Sequence, residues 1–104
     1  MLLAVMMHLP RNIGIAHTYI AQEKIEAAAQ KAGDQVKIET QGTIGIENAL
    51  TEEEIAKADI VLLAVDVKIA GEERFANKKG VKVPTQVAIK SPNKLIATLH
   101  ELVG

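Results

Sequence analysis

Six consecutive apolar residues, Ile60–Val65, form the segment that most limits how this chain can fold. If they form a strand, both of its faces are apolar and both must be covered, as in a central strand of a parallel sheet. Leu2–Met7 is a second apolar run. The segment Ala16–Ala32 lies between the two and has apolar residues at i, i+4, i+7 and i+8, the spacing of a helix with one buried face. This alternation predicts βαβ units around a parallel sheet.

Shorter signals complete the predicted fold. Gly33 is the predicted stop of the first helix, and Val36–Thr40 is a short strand. A helix is predicted from the capping box Thr51–Glu54 to about Ala58, followed after the central strand by a helical turn at Gly71–Phe75. Val81–Val83 is an edge strand stopped by Pro84, and Ser91-Pro92 opens the final helix. The sequence thus predicts a single three-layer α/β domain, residues 1–104, with a four-stranded parallel sheet flanked by helices.

Composition argues against several classes of function. A formal net charge of −1 and only two aromatic residues are not typical of a nucleic-acid surface. No apolar run reaches the roughly 18 residues of a membrane-spanning helix, so direct membrane insertion is not expected. The absence of cysteine rules out disulfides and thiolate metal sites, and fits a cytosolic protein. Without metal-ligand spacings or nucleotide-binding glycine motifs, neither a metal nor a cofactor is expected.

The loops at the carboxyl ends of the predicted strands are the expected ligand site, since ligands of open parallel sheets bind there. These loops are Met7–Ala16, Thr40–Ile46 and Asp66–Gly71. In the first of them, Gly14–Thr18 makes the turn from strand to helix. Backbone N–H groups and the positive end of a helix favour a phosphate at such a turn. The sequence therefore predicts an anion site at the start of the first helix.

Five short motifs occur in series along nearly the whole chain: Gly14-Ile15-Ala16-His17-Thr18, Ile38-Glu39-Thr40-Gln41-Gly42, Gly45-Ile46-Glu47-Asn48, Leu50-Thr51 and Glu73-Arg74-Phe75. In this order they resemble the fructose-type enzyme IIB domain of the bacterial sugar phosphotransferase system. The resemblance implies a cytoplasmic phosphotransferase component that takes a phosphoryl group from a phosphohistidine on a IIA partner. It would pass the group to a fructose-like sugar entering through a membrane IIC permease, which would hold it at the inner face of the membrane. A carrier that visits two partners is expected to be monomeric.

The resembled family carries the phosphoryl group on a cysteine, in the pattern Cys-Pro-Thr-Gly-Ile-Ala-His-Thr, and this chain has no cysteine. Counting forward from the first strand, the cysteine position falls on His8. Counting back from Gly14, it falls on Arg11, with Asn12 and Ile13 in place of proline and threonine. The two counts therefore place the cysteine position at residue 8 or at residue 11, so the loop is about three residues longer than the family's usual form.

Three interpretations of this loop follow. His8 is either the phosphoryl acceptor, since a neutral imidazole can act as a nucleophile, or only a polar residue at a strand end. Arg11 either binds a phosphate through its guanidinium group or is a solvated loop residue. In the third interpretation, residues 6–13 are not the natural sequence of a working protein, because of a coding error or decay. A chain unable to carry phosphate would be a catalytically inactive binding or regulatory module.

The candidate catalytic residue is therefore His8. The predicted phosphate-binding residues are Arg11, Asn12, Ile13, Gly14, His17 and Thr18. For His17 and Thr18, the alternative is a role in capping or packing the first helix.

Two later motifs carry polar residues with a structural alternative. Gln41 or Asn48 either donates hydrogen bonds to the first loop or only shapes its own turn. Glu72-Glu73-Arg74 is predicted to form a surface ion pair. Phe75 is predicted to anchor that turn in the core.

Overall fold

Five strands form one sheet within the part of the chain that the computed structural model describes, which is residues 1–8, 15–42, 45–66 and 72–103. The side chains of residues 15–19 lie outside that description. The strands are β1 (Leu2–His8), β2 (Gln35–Gly42), β3 (Gly45–Glu47), β4 (Ile60–Val65) and β5 (Gly80–Val83). Their spatial order is β3-β2-β1-β4-β5, with β3 antiparallel to β2 and the other pairs parallel.

Helices cover both faces of this sheet. They are α1 (Ile15–Lys31), α2 (Glu52–Lys57), α3 (Thr85–Lys90) and α4 (Pro92–Val103), with a 3₁₀ turn at Glu72–Phe75. The helices α1, α3 and α4 pack on one face, and α2 and the 3₁₀ turn pack on the other. The predicted three-layer α/β fold is thereby confirmed. None of the helices among the described residues has both the length and the apolar character that crossing a bilayer requires.

Alternate side chains of β1 contribute to two separate cores. Leu3, Val5 and Met7 belong to the core under α1, α3 and α4, and Ala4 and Met6 belong to the core under α2 and the 3₁₀ turn. All five are buried, and their division follows from the two-residue period of a strand. Every residue of β4 is buried as well. The apolar run that predicts a central strand is therefore covered on both faces.

Gly33 ends α1 as predicted. Its φ of 83° lies in the left-handed region, which glycine adopts without a steric clash at Cβ. The Gly33 N–H donates to the Gln30 carbonyl at 3.0 Å, and the Asp34 N–H donates to the Ala29 carbonyl at 2.8 Å. These two bonds form a Schellman motif, which satisfies carbonyl groups at the end of the helix.

The predicted count of four strands is wrong, because β3 adds a fifth strand along β2. The sequence predicts a loop from Thr40 to Ile46, whereas residues 45–47 pair with Thr40–Gly42, and Gly45 at the start of β3 has a φ of 100°. The helix α3 is also absent from the prediction. It begins where the Thr85 N–H donates to Asp66 Oδ1, at the end of β4, over 3.1 Å. A contact with another segment thus decides each element, which is the adjacent strand β2 for β3 and Asp66, after β4, for α3.

Replacing Thr51 with alanine is expected to lower the free energy of unfolding by about 1 kcal/mol. The Thr51 hydroxyl accepts a hydrogen bond from the Glu54 N–H at 3.1 Å, and the Glu54 carboxylate accepts one from the Thr51 N–H at 3.0 Å. The variant loses one half of this capping box. Urea unfolding followed by circular dichroism measures the loss. Thr51→Ser keeps the hydroxyl and is the control, so an equal loss in Thr51→Ser would contradict the cap as the cause.

Candidate functional site

The carboxyl end of β1 is the point where the path of the chain across the sheet reverses. From β1 the chain passes through α1 to β2 on one side, and it later returns to β4 and β5 on the other side. In an open α/β sheet the loops diverge at such a point and leave a crevice in which ligands bind. The end of β1 is therefore the place in this fold where a ligand site is expected.

His8 is the last residue of β1 and lies at this point. In the strand register it is paired with Gln41 of β2 on one side and with Val65 of β4 on the other. The residue is partly buried, and its Nδ1 atom is buried without a hydrogen-bond partner among the described residues. Because an unsatisfied buried polar atom is costly, it calls for a functional or structural explanation. The structure thus places the candidate catalytic residue at the expected site.

The start of α1 is suited to an anion. The helix begins at Ile15, and its first turn contains no acidic residue. By contrast, the first turn of α2 contains Glu52, Glu53 and Glu54, which favour their own helix start electrostatically. The positive end of α1 is therefore not offset by acidic side chains of its own first turn.

The predicted phosphate-binding residues fall at or before this helix start. Arg11, Asn12, Ile13 and Gly14 lie outside the described residues. His17 and Thr18 lie in the first turns of α1, and their side chains are likewise outside the description. Within the described residues, no group of three His, Asp or Glu side chains is placed to hold a metal ion.

Glu39, on β2, is the centre of a buried polar network next to this site. Its side chain has no solvent exposure. Oε1 accepts hydrogen bonds from the Leu50 N–H at 2.8 Å and from Arg74 Nη1 at 3.0 Å. Oε2 accepts from Gln41 Nε2 at 2.9 Å and from Arg74 Nη2 at 3.0 Å. Arg74 is therefore bidentate, and both oxygens of the carboxylate are satisfied.

The network keeps both of its charged groups ionised. Burial alone would raise the pKa of Glu39, but the hydrogen bonds from Arg74, Gln41 and the Leu50 N–H outweigh it and hold the pKa below its ordinary value. In turn, the hydrogen bond to Glu39 raises the pKa of Arg74. The guanidinium group also lies 5.0 Å from the centre of the Phe75 ring, a cation–π distance. The result is an ion pair whose two charges cancel, with the carboxylate fully buried and the guanidinium side chain partly exposed.

The segment Glu72-Glu73-Arg74 forms ion pairs with residues outside it. Arg74 binds the buried carboxylate of Glu39, as described, and Glu72 forms a surface contact with Lys82 at 3.0 Å. The prediction that Phe75 anchors the turn in the core is confirmed, since the ring is buried. One signal in the sequence could have indicated this pair, which is a glutamate, Glu39, within a strand predicted to be buried. A buried carboxylate needs a cation, and that cation has to come from another segment.

Gln41 and Asn48 lie in different surroundings. Gln41 is buried beside His8 and bound to Glu39. Asn48 is exposed, has a φ of 55°, and lines a cavity of about 270 Å³ on the α1 side of β2. The other residues that line this cavity are Gln22, Glu23, Glu26, Thr40 and Glu47. Its acidic lining disfavours a phosphate, so of the two predicted donors Gln41 is the one placed beside the candidate acceptor.

Comparison with known proteins agrees with the motifs. Residues 12–98 match the family described as PTS system, Lactose/Cellobiose specific IIB subunit. The PTS system fructose-like EIIB component 2 of Escherichia coli K12 is 48% identical over 87 residues, which are 84% of this chain and 82% of the relative. The PTS system fructose-specific EIIB'BC component of Vibrio cholerae is 46% identical over 77 residues, which are 74% of this chain and 13% of that longer protein.

A solved structure extends this likeness to three dimensions. A domain from the fructose-specific IIABC component of Borrelia burgdorferi superposes with a TM-score of 0.85 at 49% sequence identity, and the match covers 92% of this chain and 89% of the solved chain. The range matched by the family begins at residue 12. His8 and Arg11 therefore both lie outside it, and the comparison does not choose between the two registers.

Arg74→Met is expected to lower the free energy of unfolding by about 3–5 kcal/mol, because it leaves a buried carboxylate without its cation. Glu39→Gln removes that charge, so the double variant should lose less than the sum of the two single variants. Denaturant unfolding of all four proteins measures the coupling. Glu72→Gln loses only the surface contact with Lys82 and should cost no more than about 1 kcal/mol. Additive losses would contradict a coupled pair.

Glu39 is also expected to make the stability depend on pH. Because the folded chain lowers its pKa from the ordinary 4.5, the unfolded chain takes up the proton first as the pH falls. The contribution is therefore complete above 4.5 and is lost as the pH falls through the folded pKa. The stability difference between the native chain and Glu39→Gln should shrink below that value in urea unfolding. The pKa of Glu54 is also lowered, by a hydrogen bond from the Thr51 N–H. Because Glu54 is present in both proteins, its contribution cancels in the stability difference between them. A constant difference would contradict the prediction.

Proposed function

The chain belongs to the fructose-like enzyme IIB components of the bacterial sugar phosphotransferase system, and we propose that it carries a phosphoryl group from a IIA protein to an incoming sugar. His8 is the acceptor in this proposal. The single observation that supports it most is the place of His8 at the carboxyl end of β1, with a buried Nδ1 that has no partner among the described residues. The whole of residues 1–104 acts as the IIB-like domain.

The transfer exchanges one phosphorus–nitrogen bond for another. A neutral ring nitrogen of His8 attacks the phosphorus of the IIA phosphohistidine, and the bond from that phosphorus to the IIA nitrogen breaks. In the second step a sugar hydroxyl oxygen attacks the phosphorus, the bond to His8 breaks, and the hydroxyl proton is released. Backbone N–H groups at the start of α1 hold the phosphate oxygens. The residues proposed to line this cradle are Arg11, Asn12, Ile13, Gly14, His17 and Thr18.

The proposed partners are a phosphorylated IIA protein, a membrane IIC permease and a fructose-like sugar. The name of the Vibrio cholerae relative, which combines B and C components in one protein, supports the partnership with IIC. The chain would act in the cytoplasm as a monomer and reach the inner face of the membrane through IIC. No cofactor takes part in the two transfers.

The alternative function is an inactive IIB-like module that binds partners without carrying phosphate. The absence of cysteine favours it, because the resembled family uses a thiol as its acceptor. In that case the family fold is retained for docking or regulation. The two functions differ in one measurable property, which is covalent phosphorylation of the chain.

Incubation with phosphoenolpyruvate, the general phosphotransfer proteins and a IIA protein is expected to add one acid-labile phosphoryl group, detected by intact mass measurement. His8→Ala should abolish the gain. His100→Gln should retain it, because His100 Nε2 lies 2.6 Å from Asp34, at the end of α1 away from His8. The Escherichia coli fructose-like EIIB component 2, run in parallel, confirms that the IIA protein is charged.

Cysteine variants separate the remaining outcomes. If the native chain gains no phosphoryl group while the Escherichia coli relative does, the carrier proposal is contradicted and the inactive module is supported. Phosphorylation of His8→Cys would then show that the cradle persists and only the acceptor is lost. Phosphorylation of Arg11→Cys in place of His8→Cys would assign the acceptor position to the other register.

A further inference from the structure

We infer that Gln41 is a positioning residue for His8, and that the buried Glu39–Arg74 ion pair sets the orientation of the Gln41 carboxamide. The inference rests on the proposal that position 8 carries the phosphoryl acceptor. Neither the family likeness nor the fold assigns such a role to these three residues. It follows instead from strand register, hydrogen bonds and burial.

Strand register brings Gln41 beside His8. The two residues are paired between the parallel strands β1 and β2, and the next pair on the same face is Met6 with Glu39. Neighbouring strands lie about 4.8 Å apart, and paired residues point to the same face. This face is the α2 side of the sheet, because Met6 belongs to the core on that side. Glu39 and Gln41 therefore follow one another on this face toward the carboxyl end of β2, and His8 lies level with Gln41.

The Glu39 carboxylate allows one orientation of the Gln41 amide. Gln41 Nε2 donates to Glu39 Oε2 at 2.9 Å. If the amide flipped, its carbonyl oxygen would face an ionised carboxylate, and two acceptors would oppose each other. The hydrogen bond thus turns the NH₂ branch toward Glu39 and places the carbonyl branch away from it. Because Gln41 is buried, water cannot replace this bond at low cost.

Arg74 in turn holds the carboxylate. Its two Nη atoms contact the two oxygens of Glu39 at 3.0 Å each, and Nη1 also donates to the Leu50 carbonyl at 3.1 Å. A planar guanidinium fork fixes the plane of a carboxylate, whereas a lysine ammonium acts as a point charge. A buried ion pair is often no more stable than a well-packed apolar replacement. The function of this pair is therefore better explained by the geometry that it imposes on Gln41.

An oriented carboxamide can control the neighbouring imidazole. Its carbonyl oxygen can accept the ring N–H of a neutral histidine, which leaves a lone pair on the other ring nitrogen for the phosphorus. In this structure the buried Nδ1 of His8 has no hydrogen-bond partner among the described residues, so no other described group competes with Gln41 for that nitrogen. Gln41 thus acts through His8, and Glu39 and Arg74 act through Gln41.

The test is the ¹⁵N spectrum of the His8 ring in the full chain at one fixed pH. Gln41→Ala should shift the ring resonances, and Arg74→Lys, which keeps the charge but loses the fork, should shift them in the same direction. Arg74→Lys in the Gln41→Ala background should add no further shift. Glu72→Gln, on the same 3₁₀ turn but bound to Lys82, is the matched control and should leave the ring unchanged.

Glu39→Gln is a second route to the same result if Arg74→Lys does not fold. A glutamine at position 39 both donates and accepts, so the Gln41 amide becomes able to flip, and the His8 ring should shift as in Gln41→Ala. The inference is overturned if the Arg74 or Glu39 variants lose stability but leave the His8 resonances in place. It is also overturned if their shifts add to that of Gln41→Ala.

The phosphoryl-transfer assay separates this inference from the proposed function. If the chain is phosphorylated on His8, Gln41→Ala should slow the transfer roughly a hundredfold, as a small misplacement of a reacting group does. Transfer at the native rate in Gln41→Ala would overturn the positioning role and leave the carrier proposal standing. If the native chain is never phosphorylated, the carrier proposal fails, while the ring spectra still decide whether Gln41 and its ion pair orient His8.

Discussion

The buried carboxylate of Glu39 is the group on which the carboxyl edge of this structure depends. A charged side chain without solvent exposure is tolerated only when donors replace the lost water. Here the donors come from three separate segments, at Gln41, Leu50 and Arg74. These hydrogen bonds connect β2 to the 3₁₀ turn and to the residue just before the capping box of α2. The four-residue 3₁₀ turn and the six-residue α2 are too short to be stable alone. Satisfying one carboxylate therefore fixes the arrangement of β2, the approach to α2 and the 3₁₀ turn together.

The parts of the fold that the sequence predicts well are those encoded by local signals. The run Ile60–Val65 matches β4 residue for residue, and Thr51 caps α2 as its motif predicts. By contrast, β3 has three residues and exists through its pairing with β2, and α3 begins through a contact between Thr85 and Asp66. Neither contact leaves a periodic pattern in the sequence. The type of an element is therefore predictable where the segment contains its own signal, and is not predictable where pairing or contact with another segment supplies it.

The candidate site likewise has features that the sequence predicts and features that it does not. The place of His8 at the end of β1 was predictable, because a strand of apolar residues ends there and the carboxyl edge is where ligands bind. The role of Arg74 was not, because its partner Glu39 is 35 residues away and two glutamates stand next to it in sequence. Local charge patterns predict surface pairs, whereas a buried pair is chosen by topology. The residues 9–14, which carry four of the predicted phosphate contacts, lie outside the described residues.

The distribution of acidic groups favours one face of the sheet for an anion. On the α2 side, Glu39 is neutralised by Arg74, and Glu54 contacts Lys37 at 2.9 Å. At the end of β4, Asp66 accepts hydrogen bonds from the backbone N–H and hydroxyl of Thr85. On the α1 side of β2, the cavity at Thr40 is instead lined by three glutamates, which repel a phosphate. An anion at the start of α1 therefore meets less negative charge toward His8 and Gln41, and these are the side chains that the strand register places together.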